Sequence, residues 1–315
     1  MSLLSVQNLT IKYDKKEVVR NCSFKLEKKE IIVILGASGE GKTTLLKGIA
    51  GLLPHSQGDV QLKNELVLDA SEKLVPGHEL IKLVNQDFDL NDFHTVEENI
   101  RLRLLAFDVD YQRKRIELLL DITNLTQYRD VSTKQLSGGQ KQRLAMARAL
   151  ADEPELLLLD EPFNQLDFQT KNVIESHIKS YVKERGLGVI MVTHNGVEAM
   201  EWADKIIFID EGEIKRIDSP SNFYNNPQSL KEARFFGPVN EILVNGEKIY
   251  FRPSFFSLNQ DDNYSIKVAV KFVKQVNLGW YSTAVFSCHS GHIQLYSTED
   301  ISEVREIFIR KISFK

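Results

Sequence analysis

A glycine-rich loop early in the chain restricts the possible folds more than any other segment. It reads Gly36-Ala37-Ser38-Gly39-Glu40-Gly41-Lys42-Thr43-Thr44, after the apolar run 31–35 and before the helix-forming run 45–50. Glycines allow backbone amides to close around phosphate oxygens, and a helix that begins directly after them adds partial positive charge. The order strand, loop, helix therefore predicts a phosphate-binding loop in an α/β fold.

Two side chains of this loop have the chemistry to act on a nucleotide. Lys42 is expected to bridge the outer phosphates, and Thr43 to supply a hydroxyl ligand to Mg²⁺. The other expected phosphate contacts are Gly36, Ser38, Gly39, Gly41 and Thr44. The alternative is a glycine-rich turn before an ordinary helix, but Lys and Thr stand in register and the flanking runs fit. The loop therefore predicts a nucleotide site.

An acidic pair at the end of an apolar run is the second candidate. The four leucines 156–159 predict a buried strand that ends at Asp160, from where a carboxylate can reach a metal bound to phosphates. Glu161 follows, placed to polarise a water that attacks the γ-phosphate. The alternative is a solvated acidic turn, which the nearby phosphate loop makes the weaker interpretation.

A third motif, Leu136-Ser137-Gly138-Gly139-Gln140, opens a helix-period run. Ser137 can cap that helix, and the two glycines leave its first amides open to an incoming anion. The alternative is a Ser-Gly-Gly loop that merely joins two helices. Gln140 stands 20 residues before Asp160, and this placement favours the anion site.

Composition and charge exclude several classes of protein. A net charge of −4 over 315 residues gives no basic excess, which argues against a protein that coats nucleic acid or anionic membranes. Cys22 and Cys288 lie far apart without CxxC spacing, so free thiols are expected rather than a zinc site or a disulfide framework. The apolar runs reach about five residues, against the roughly 18–20 that span a bilayer, and residues 1–5 lack the features of a signal peptide. We therefore expect a chain that is soluble on its own account.

The pattern of residues 1–235 predicts an α/β domain. Short apolar runs at 31–35, 156–159, 189–192 and 206–209 alternate with helix-period segments, as buried strands of a parallel sheet do. Between about 90 and 150 the pattern becomes helical, with Asp110 as a candidate N-cap.

The pattern of residues 236–315 differs. This segment holds 13 of the 28 aromatic residues, and residues 265–272 alternate at period two. Asn245-Gly246 between two apolar runs predicts a hairpin turn. We therefore expect a small all-β domain, for which a barrel is one arrangement.

With the three motifs in this order, the chain resembles the ATP-binding cassette (ABC) ATPases over nearly all of residues 1–235. Four further positions match that family. Tyr13 corresponds to the aromatic residue that stacks on adenine, and Gln86 to the glutamine that links the metal site to the transporter subunit. Asp167 lies in the segment that matches the dimer-contact loop, and His194 corresponds to the switch histidine. Taken singly, Tyr13 could be a surface aromatic, Gln86 a polar loop residue and His194 a histidine at a strand end. The order of all these motifs supports the family.

The resemblance implies an ATPase that uses ATP and Mg²⁺. It implies Glu161, His194 and Gln86 as catalytic residues, and Thr43, Gln86 and Asp160 at the metal. It also implies a head-to-tail homodimer with two ATP molecules at its interface. Ser137, Gly138, Gly139 and Gln140 of one subunit would then close on the ATP held by Lys42 of the other.

Three segments resemble one group within this family. Glu161-Pro162-Phe163, residues 198–204 and residues 235–240 are similar to the bacterial importers for maltose, polyamines, iron and sulfate. These importers carry a C-terminal β-barrel called TOBE. Two segments of this chain, Arg252-Pro253 and residues 278–281, resemble short motifs of that domain. The implied fold is an α/β P-loop ATPase core with a helical subdomain plus a small TOBE-like β domain. The implied protein is the energy-coupling subunit of an importer, cytoplasmic and peripheral on the inner face of the cell membrane. Its implied partners are integral membrane permease subunits and an extracytoplasmic substrate-binding protein, and no nucleic acid.

Two departures from the group affect this interpretation. The loop 85–96 is more acidic than is usual in the group, and it helps to form the groove for the membrane subunit. Asn164-Gln165 replaces the usual Ser-Ala, a change expected to be tolerated because Leu166-Asp167 remains.

Two alternatives stay open: a cassette protein that acts on nucleic acid or ribosomes, and an exporter or lipoprotein-release ATPase. The sequence does not identify the cargo, because the cassette does not touch it.

Overall fold

The computed structural model describes residues 2–14, 16–85, 88–164 and 166–314. Two compact units make up the chain. The first consists of Met1–His194 with Glu201–Ser219, and the second of Asn195–Met200 with Pro220–Lys315. The domain boundary predicted near residue 235 stays a prediction, and the compact units divide earlier, after Ser219. In the described ranges, we find no helix whose length and apolar character would allow it to cross a bilayer.

The described residues of the first unit form ten strands. They are β1 (Leu4–Tyr13), β2 (Lys16–Leu26), β3 (Ile31–Leu35), β4 (Gln57–Leu62), β5 (Glu65–Leu66), β6 (Ile81–Val84), β7 (Leu156–Asp160), β8 (Gly188–Thr193), β9 (Lys205–Asp210) and β10 (Glu213–Asp218). The central sheet has the order β10-β9-β3-β8-β7-β6, and all its neighbouring strands are parallel except β10 and β9. The four apolar runs predicted as buried strands are β3, β7, β8 and β9, which confirms the α/β fold.

Parallel pairing brings the candidate motifs to one edge of this sheet. Leu35, the last residue of β3, pairs with Thr193 of β8, and Val192 of β8 pairs with Asp160 of β7. The phosphate loop, the acidic pair and His194 each follow directly after one of these strands. They therefore lie together at the carboxyl ends of the strands, where ligands bind in open α/β sheets.

An antiparallel sheet of order β2-β1-β4-β5 completes the strands of the first unit. One continuous apolar core joins side chains of β1, the helix after the phosphate loop, and the central sheet; it includes Leu9, Leu45 and Ile32. Packing is tight enough that a Cβ at Gly48 would lie 2.3 Å from the Ile11 side chain. This helix is therefore held on the apolar faces of its neighbours, and its first turn is fixed beside the loop.

The helices are α1 (Lys42–Ile49), α2 (Val96–Arg101), α3 (Val109–Ile122), α4 (Gly138–Ala151), α5 (Phe168–Arg185), α6 (Gly196–Trp202), α7 (Pro220–Asn225) and α8 (Leu230–Phe235). Three of them, α2, α3 and α4, lie in the segment predicted to be helical. The predicted N-cap of α3 was wrong: Asp108 rather than Asp110 caps it, and the Asp108 side chain accepts a hydrogen bond from the amide of Tyr111 at 2.9 Å. The helix begins two residues earlier because the extended backbone at Asp108 lets its carboxylate reach the first turn.

Up to residue 314, where the described part of the chain ends, the second unit has eight strands in three small antiparallel sheets. They are β11 (Asn240–Val244), β12 (Glu247–Phe251), β13 (Phe256–Ser257), β14 (Ile266–Ala269), β15 (Lys271–Asn277), β16 (Ser282–Cys288), β17 (Gly291–Ser297) and β18 (Glu306–Ile309). The sheets are β11-β12, β13-β18-β14 and β15-β16-β17, and they share one apolar core. The predicted hairpin is confirmed, with both Asn245 and Gly246 at positive φ between β11 and β12. The predicted period-two run is also observed, but it divides into β14 and β15 at Val270, because β14 pairs with β18 and β15 pairs with β16.

Candidate functional site

The phosphate loop requires glycine at two positions for steric reasons. Gly41 has φ +83° and is the N-cap of α1, and a Cβ there would lie 2.5 Å from the carbonyl oxygen of Val18. At Gly36, a Cβ would lie 2.5 Å from the carbonyl oxygen of Ile209. Any side chain at either position would push the loop away from β2 or β9. The close backbone approach therefore explains why these residues are glycines.

Lys42 is buried within the loop that it ends. Its ammonium donates hydrogen bonds to the carbonyl oxygens of Gly36 at 3.0 Å and Ala37 at 2.7 Å, and the residue is only 6% exposed. Burial lowers the pKa of Lys42, while the charges of Glu161, Asp160 and Glu40 act in the opposite direction. A cation with three donors thus lies inside the loop, where the sequence predicts the outer phosphates.

Thr43 and Asp160 connect the loop to the end of β7. The Thr43 hydroxyl donates to Oδ2 of Asp160 at 2.9 Å. Asp160 is 5% exposed, and burial raises the pKa of its carboxyl group. Its other oxygen, Oδ1, is buried and has no hydrogen-bond partner among the described residues. A buried carboxylate oxygen without a donor is costly, and a cation at this position would remove that cost.

This donor set fits Mg²⁺. Mg²⁺ prefers oxygen ligands and is commonly held by one or two protein groups together with the phosphates of its nucleotide. Thr43 and Asp160 provide a hydroxyl and a carboxylate of that kind. Within the described ranges we find no group of three or more His, Cys, Asp and Glu residues suited to an all-protein metal site. Gln86, the third predicted metal ligand, lies outside the described residues.

Glu161 has an unusual backbone conformation at the end of β7. Its φ is +49°, which is uncommon for a residue with a side chain, and its amide donates to the carbonyl oxygen of Val192 at 3.0 Å. The side-chain amide of Gln142, on α4, donates to the carbonyl oxygen of Glu161 at 3.1 Å. Hydrogen bonds from two other elements therefore hold this backbone in place.

Among the described residues, His194 and Asn164 both contact the Glu161 carboxylate. Nδ1 of His194 lies 3.0 Å from Oε1, and because an ionised carboxylate only accepts, Nδ1 is the donor. Nδ2 of Asn164 donates to Oε2. Glu161 and His194, each predicted to be catalytic, are thus in direct contact, while their catalytic roles stay predictions.

Ser137 begins α4 as the sequence predicts. Its hydroxyl accepts from the amide of Gln140 at 3.3 Å, and Oε1 of Gln140 accepts from the amide of Ser137 at 2.8 Å, which completes a capping box. Ser137 and Gly138 are exposed and Gly139 is buried. In the described part of one chain, the side-chain hydrogen bonds of Ser137 lie within its own helix start and do not reach the phosphate loop.

Asp167 caps α5 in the same manner. Its Oδ1 accepts a hydrogen bond from the amide of Thr170 at 2.9 Å. Hydrogen bonds from the amide and from the side chain of Thr170 hold the pKa of Asp167 below its usual value. The side chain is exposed. Its predicted contact with nucleotide across a dimer stays a prediction.

An open cavity of about 620 Å³ lies beside the phosphate loop. Its lining includes Lys16 and Val18 of β2, Gly39 of the loop and Glu211. Tyr13 pairs with Lys16 across the β1–β2 hairpin and is 48% exposed. Ser38 and Gly39 are exposed too, and no atom of the described residues lies within 4 Å of a Cβ at Gly39. The position and size of the cavity suit the base and sugar of a nucleotide whose phosphates lie in the loop.

The structure therefore assembles a subset of the predicted residues at one edge of the sheet. The assembled residues are Gly36, Gly41, Lys42, Thr43, Asp160, Glu161 and His194. Sequence reasoning missed the Gln142 contact and treated Asn164 only as a tolerated replacement. The departure of Asn164 from the usual serine was the available signal for its contact with Glu161.

Comparison with known proteins identifies the family. Residues 19–164 match the ABC transporter domain family. Two curated relatives are similar over most of the chain. The Fe(3+) ions import ATP-binding protein FbpC 2 of Haemophilus influenzae is 38% identical over 237 residues, which is 75% of this chain and 67% of the relative. The spermidine/putrescine import ATP-binding protein PotA of Bacillus cereus is 32% identical over 311 residues, 98% of this chain and 87% of the relative.

Solved structures agree with these relatives. A dimeric ATP-binding cassette in a post-hydrolysis state, bound to ADP and Pi, is 30% identical with a TM-score of 0.61, and the match covers 69% of this chain and 98% of that one. The cbiO1 protein of Clostridium perfringens, part of the ABC transporter complex cbiONQ, is 28% identical with a TM-score of 0.62, over 70% of this chain and 90% of that one. The chain belongs to the ABC transporter family and is one of its ATP-binding ATPase subunits.

Proposed function

We propose that this chain is the energy-coupling subunit of a bacterial importer and hydrolyses MgATP through Glu161. The single observation that carries the proposal is the arrangement at the sheet edge. There the Thr43–Asp160 hydrogen bond adjoins the buried Lys42, and Glu161 is held against His194. Relatives named as import ATP-binding proteins support the direction of transport.

Each side chain at the site has a separate role in hydrolysis. Lys42 binds the β- and γ-phosphates and offsets the negative charge that develops on them. Thr43 and Asp160, with Gln86, would hold Mg²⁺, which when bound would supply further charge neutralisation at these oxygens. Glu161 accepts a proton from the water that attacks the γ-phosphorus, so that the products are ADP and inorganic phosphate. His194 fixes one carboxylate oxygen of Glu161, and Tyr13 stacks on the adenine.

The proposed active unit is a head-to-tail homodimer. The exposed Ser137 and Gly138, with Gly139 and Gln140, present the open start of α4 to the γ-phosphate bound by the partner, and Asp167 lies in the contact loop between subunits. ATP then favours the closed dimer because only that state makes contacts from both chains. A solved cassette relative that is itself dimeric supports this arrangement.

The proposed location follows from the partners. The subunit binds integral membrane permease subunits and lies on the inner face of the cell membrane, and an extracytoplasmic binding protein delivers the solute. The second compact unit is a TOBE-like domain. Support for this comes from its three antiparallel sheets around one core, and from the PotA match, which extends over 98% of the chain.

Reconstitution tests the proposal. We expect the chain to co-purify with its integral membrane subunits from detergent-solubilised membranes. In proteoliposomes, this complex should take up a solute such as spermidine or Fe³⁺ only with MgATP, whereas a complex carrying Glu161→Gln should not. Assembly with ribosomes or DNA, and none with membrane subunits, would contradict the importer assignment.

A further inference from the structure

Asn164 contacts the proposed base from the turn that follows β7. Its Nδ2 donates a hydrogen bond to Oε2 of Glu161, three residues earlier. Oε1, the other oxygen of the same carboxylate, is 3.0 Å from Nδ1 of His194. Each carboxylate oxygen therefore has its own donor. His194, directly after β8, contacts one oxygen, and Asn164, in the turn after β7, contacts the other.

Two donors on two oxygens restrict the carboxylate more than one donor does. The terminal torsion of a glutamate side chain is broad, so a carboxylate held at one oxygen still rotates about that contact. A second donor on the other oxygen fixes the plane of the group. A general base must lie within hydrogen-bond reach of the proton it accepts, and a displacement of about 1 Å can cost up to about a hundredfold in rate.

The position of Asn164 argues against a purely structural role. The residue is exposed, in contrast to the buried residues Pro162 and Phe163 that precede it. Its recorded side-chain hydrogen bond in the described part of the chain is the one to Glu161. An exposed side chain with a single hydrogen bond contributes little to folding stability, so its replacement is expected to leave the fold intact.

We propose that Asn164 is a positioning residue that fixes the orientation of the Glu161 carboxylate for attack on ATP. The proposal rests on the role of Glu161 given above. The serine usual in this family at this position has a hydroxyl directly on Cβ, whereas the asparagine amide extends one bond further. That extra length is what lets the side chain span three residues to Oε2.

The test compares Asn164→Ala and Asn164→Asp with the wild-type chain. Asn164→Ala removes the donor and should lower the single-turnover rate of γ-phosphate cleavage about tenfold, with the Kd for ATP unchanged within about twofold. Asn164→Asp keeps the shape but places a second carboxylate beside Glu161. It should lower the rate further and move the acidic limb of the pH–rate profile to higher pH, because neighbouring carboxylates hinder each other's ionisation.

Asn172 provides the matched control. It is an exposed asparagine on α5, and Asn172→Ala and Asn172→Asp should leave the rate, the Kd and the pH profile at wild-type values. The proposal is overturned if Asn164→Ala cleaves ATP at the wild-type rate, or if the Asn164 variants lose ATP affinity in proportion to rate. A wild-type chain that does not cleave ATP would instead overturn the proposed function itself.

Discussion

Asp160 illustrates how a binding site can oppose stability at the level of one residue. The carboxylate is buried, one of its oxygens accepts from Thr43, and the other has no hydrogen-bond partner among the described residues. Burial raises the pKa of Asp160, so the ionised form is less favourable in the folded chain than in the unfolded chain. At neutral pH this carboxylate therefore destabilises the nucleotide-free protein, and a bound cation would relieve the penalty.

Asp160→Asn should consequently stabilise the nucleotide-free chain at pH 7 while impairing turnover. A raised acid pKa means that the folded state binds more protons than the unfolded state, so the stability of the wild type falls as pH rises through this range. The advantage of the variant in Tm should thus be largest at neutral pH and should shrink as pH falls towards the pKa of Asp160. Calorimetry across pH, with the exposed Asp130→Asn as control, measures both trends.

A different result at Asp160 would refute this account of the residue. If Asp160→Asn were less stable than the wild type at pH 7 without nucleotide, the carboxylate would be well satisfied by the protein alone. If the variant also required no more Mg²⁺ than the wild type for half-maximal hydrolysis, Asp160 would not be a metal ligand.

At the scale of elements, the start of α4 combines a folding role with an exposed surface. Ser137 closes a capping box with Gln140, yet Ser137 and Gly138 remain exposed. Replacing a serine N-cap by alanine typically costs about 1 kcal/mol, and aspartate is as good a cap as serine. Substitutions at this position can therefore separate the cap from any contact with phosphate.

Ser137→Ala should lower the free energy of unfolding by about 1 kcal/mol. Ser137→Asp should keep that stability but reduce ATP hydrolysis strongly, because its carboxylate would meet the γ-phosphate held by the partner chain. Denaturant unfolding and a hydrolysis assay measure the two effects. Ser229 caps α8 in the second unit, so Ser229→Asp is the matched control and should change neither quantity. Wild-type hydrolysis by Ser137→Asp would contradict a head-to-tail site.

The elements differ in how far the sequence alone could predict them. The start of α4 was predicted correctly because its signal is local: a serine cap followed by two glycines. The helix after the phosphate loop was predicted from residue 45, but α1 begins three residues earlier, at Lys42. The cap of α3 was misplaced by two residues, since Asp108 and Asp110 carry the same carboxylate and only the backbone at Asp108 is suitably extended. The division of residues 265–272 into two strands depends on partners distant in sequence, β18 and β16.

The difference between local signals and contacts distant in sequence also applies to the candidate site. Lys42, Thr43, Asp160 and Glu161 follow strands whose parallel pairing brings their ends together, so their meeting could be predicted. The contact from Gln142 to the Glu161 backbone joins a helix to a strand end 19 residues later and depends on side-chain direction. No local pattern encodes such a contact.

At the scale of the molecule, the chain combines an ATPase unit with a second unit that has its own core. The rise in aromatic residues correctly marked the β strands of that second unit. It could not mark α7 and α8, which precede the strands and belong to the same compact unit. Tertiary contacts assign these two helices to the second unit, and a sequence pattern does not show such contacts.

The central claim is that Glu161 hydrolyses ATP enclosed between two copies of this chain. Size-exclusion chromatography of Glu161→Gln with MgATP, combined with nucleotide quantification and a hydrolysis assay, tests it most directly. We predict a stable dimer with two ATP molecules and turnover reduced by roughly a hundredfold or more, since the proton acceptor is lost. Lys42→Ala in the same background should weaken ATP binding and remain monomeric. Glu161→Gln that hydrolyses ATP at the wild-type rate, or that binds ATP but stays monomeric, would contradict the claim.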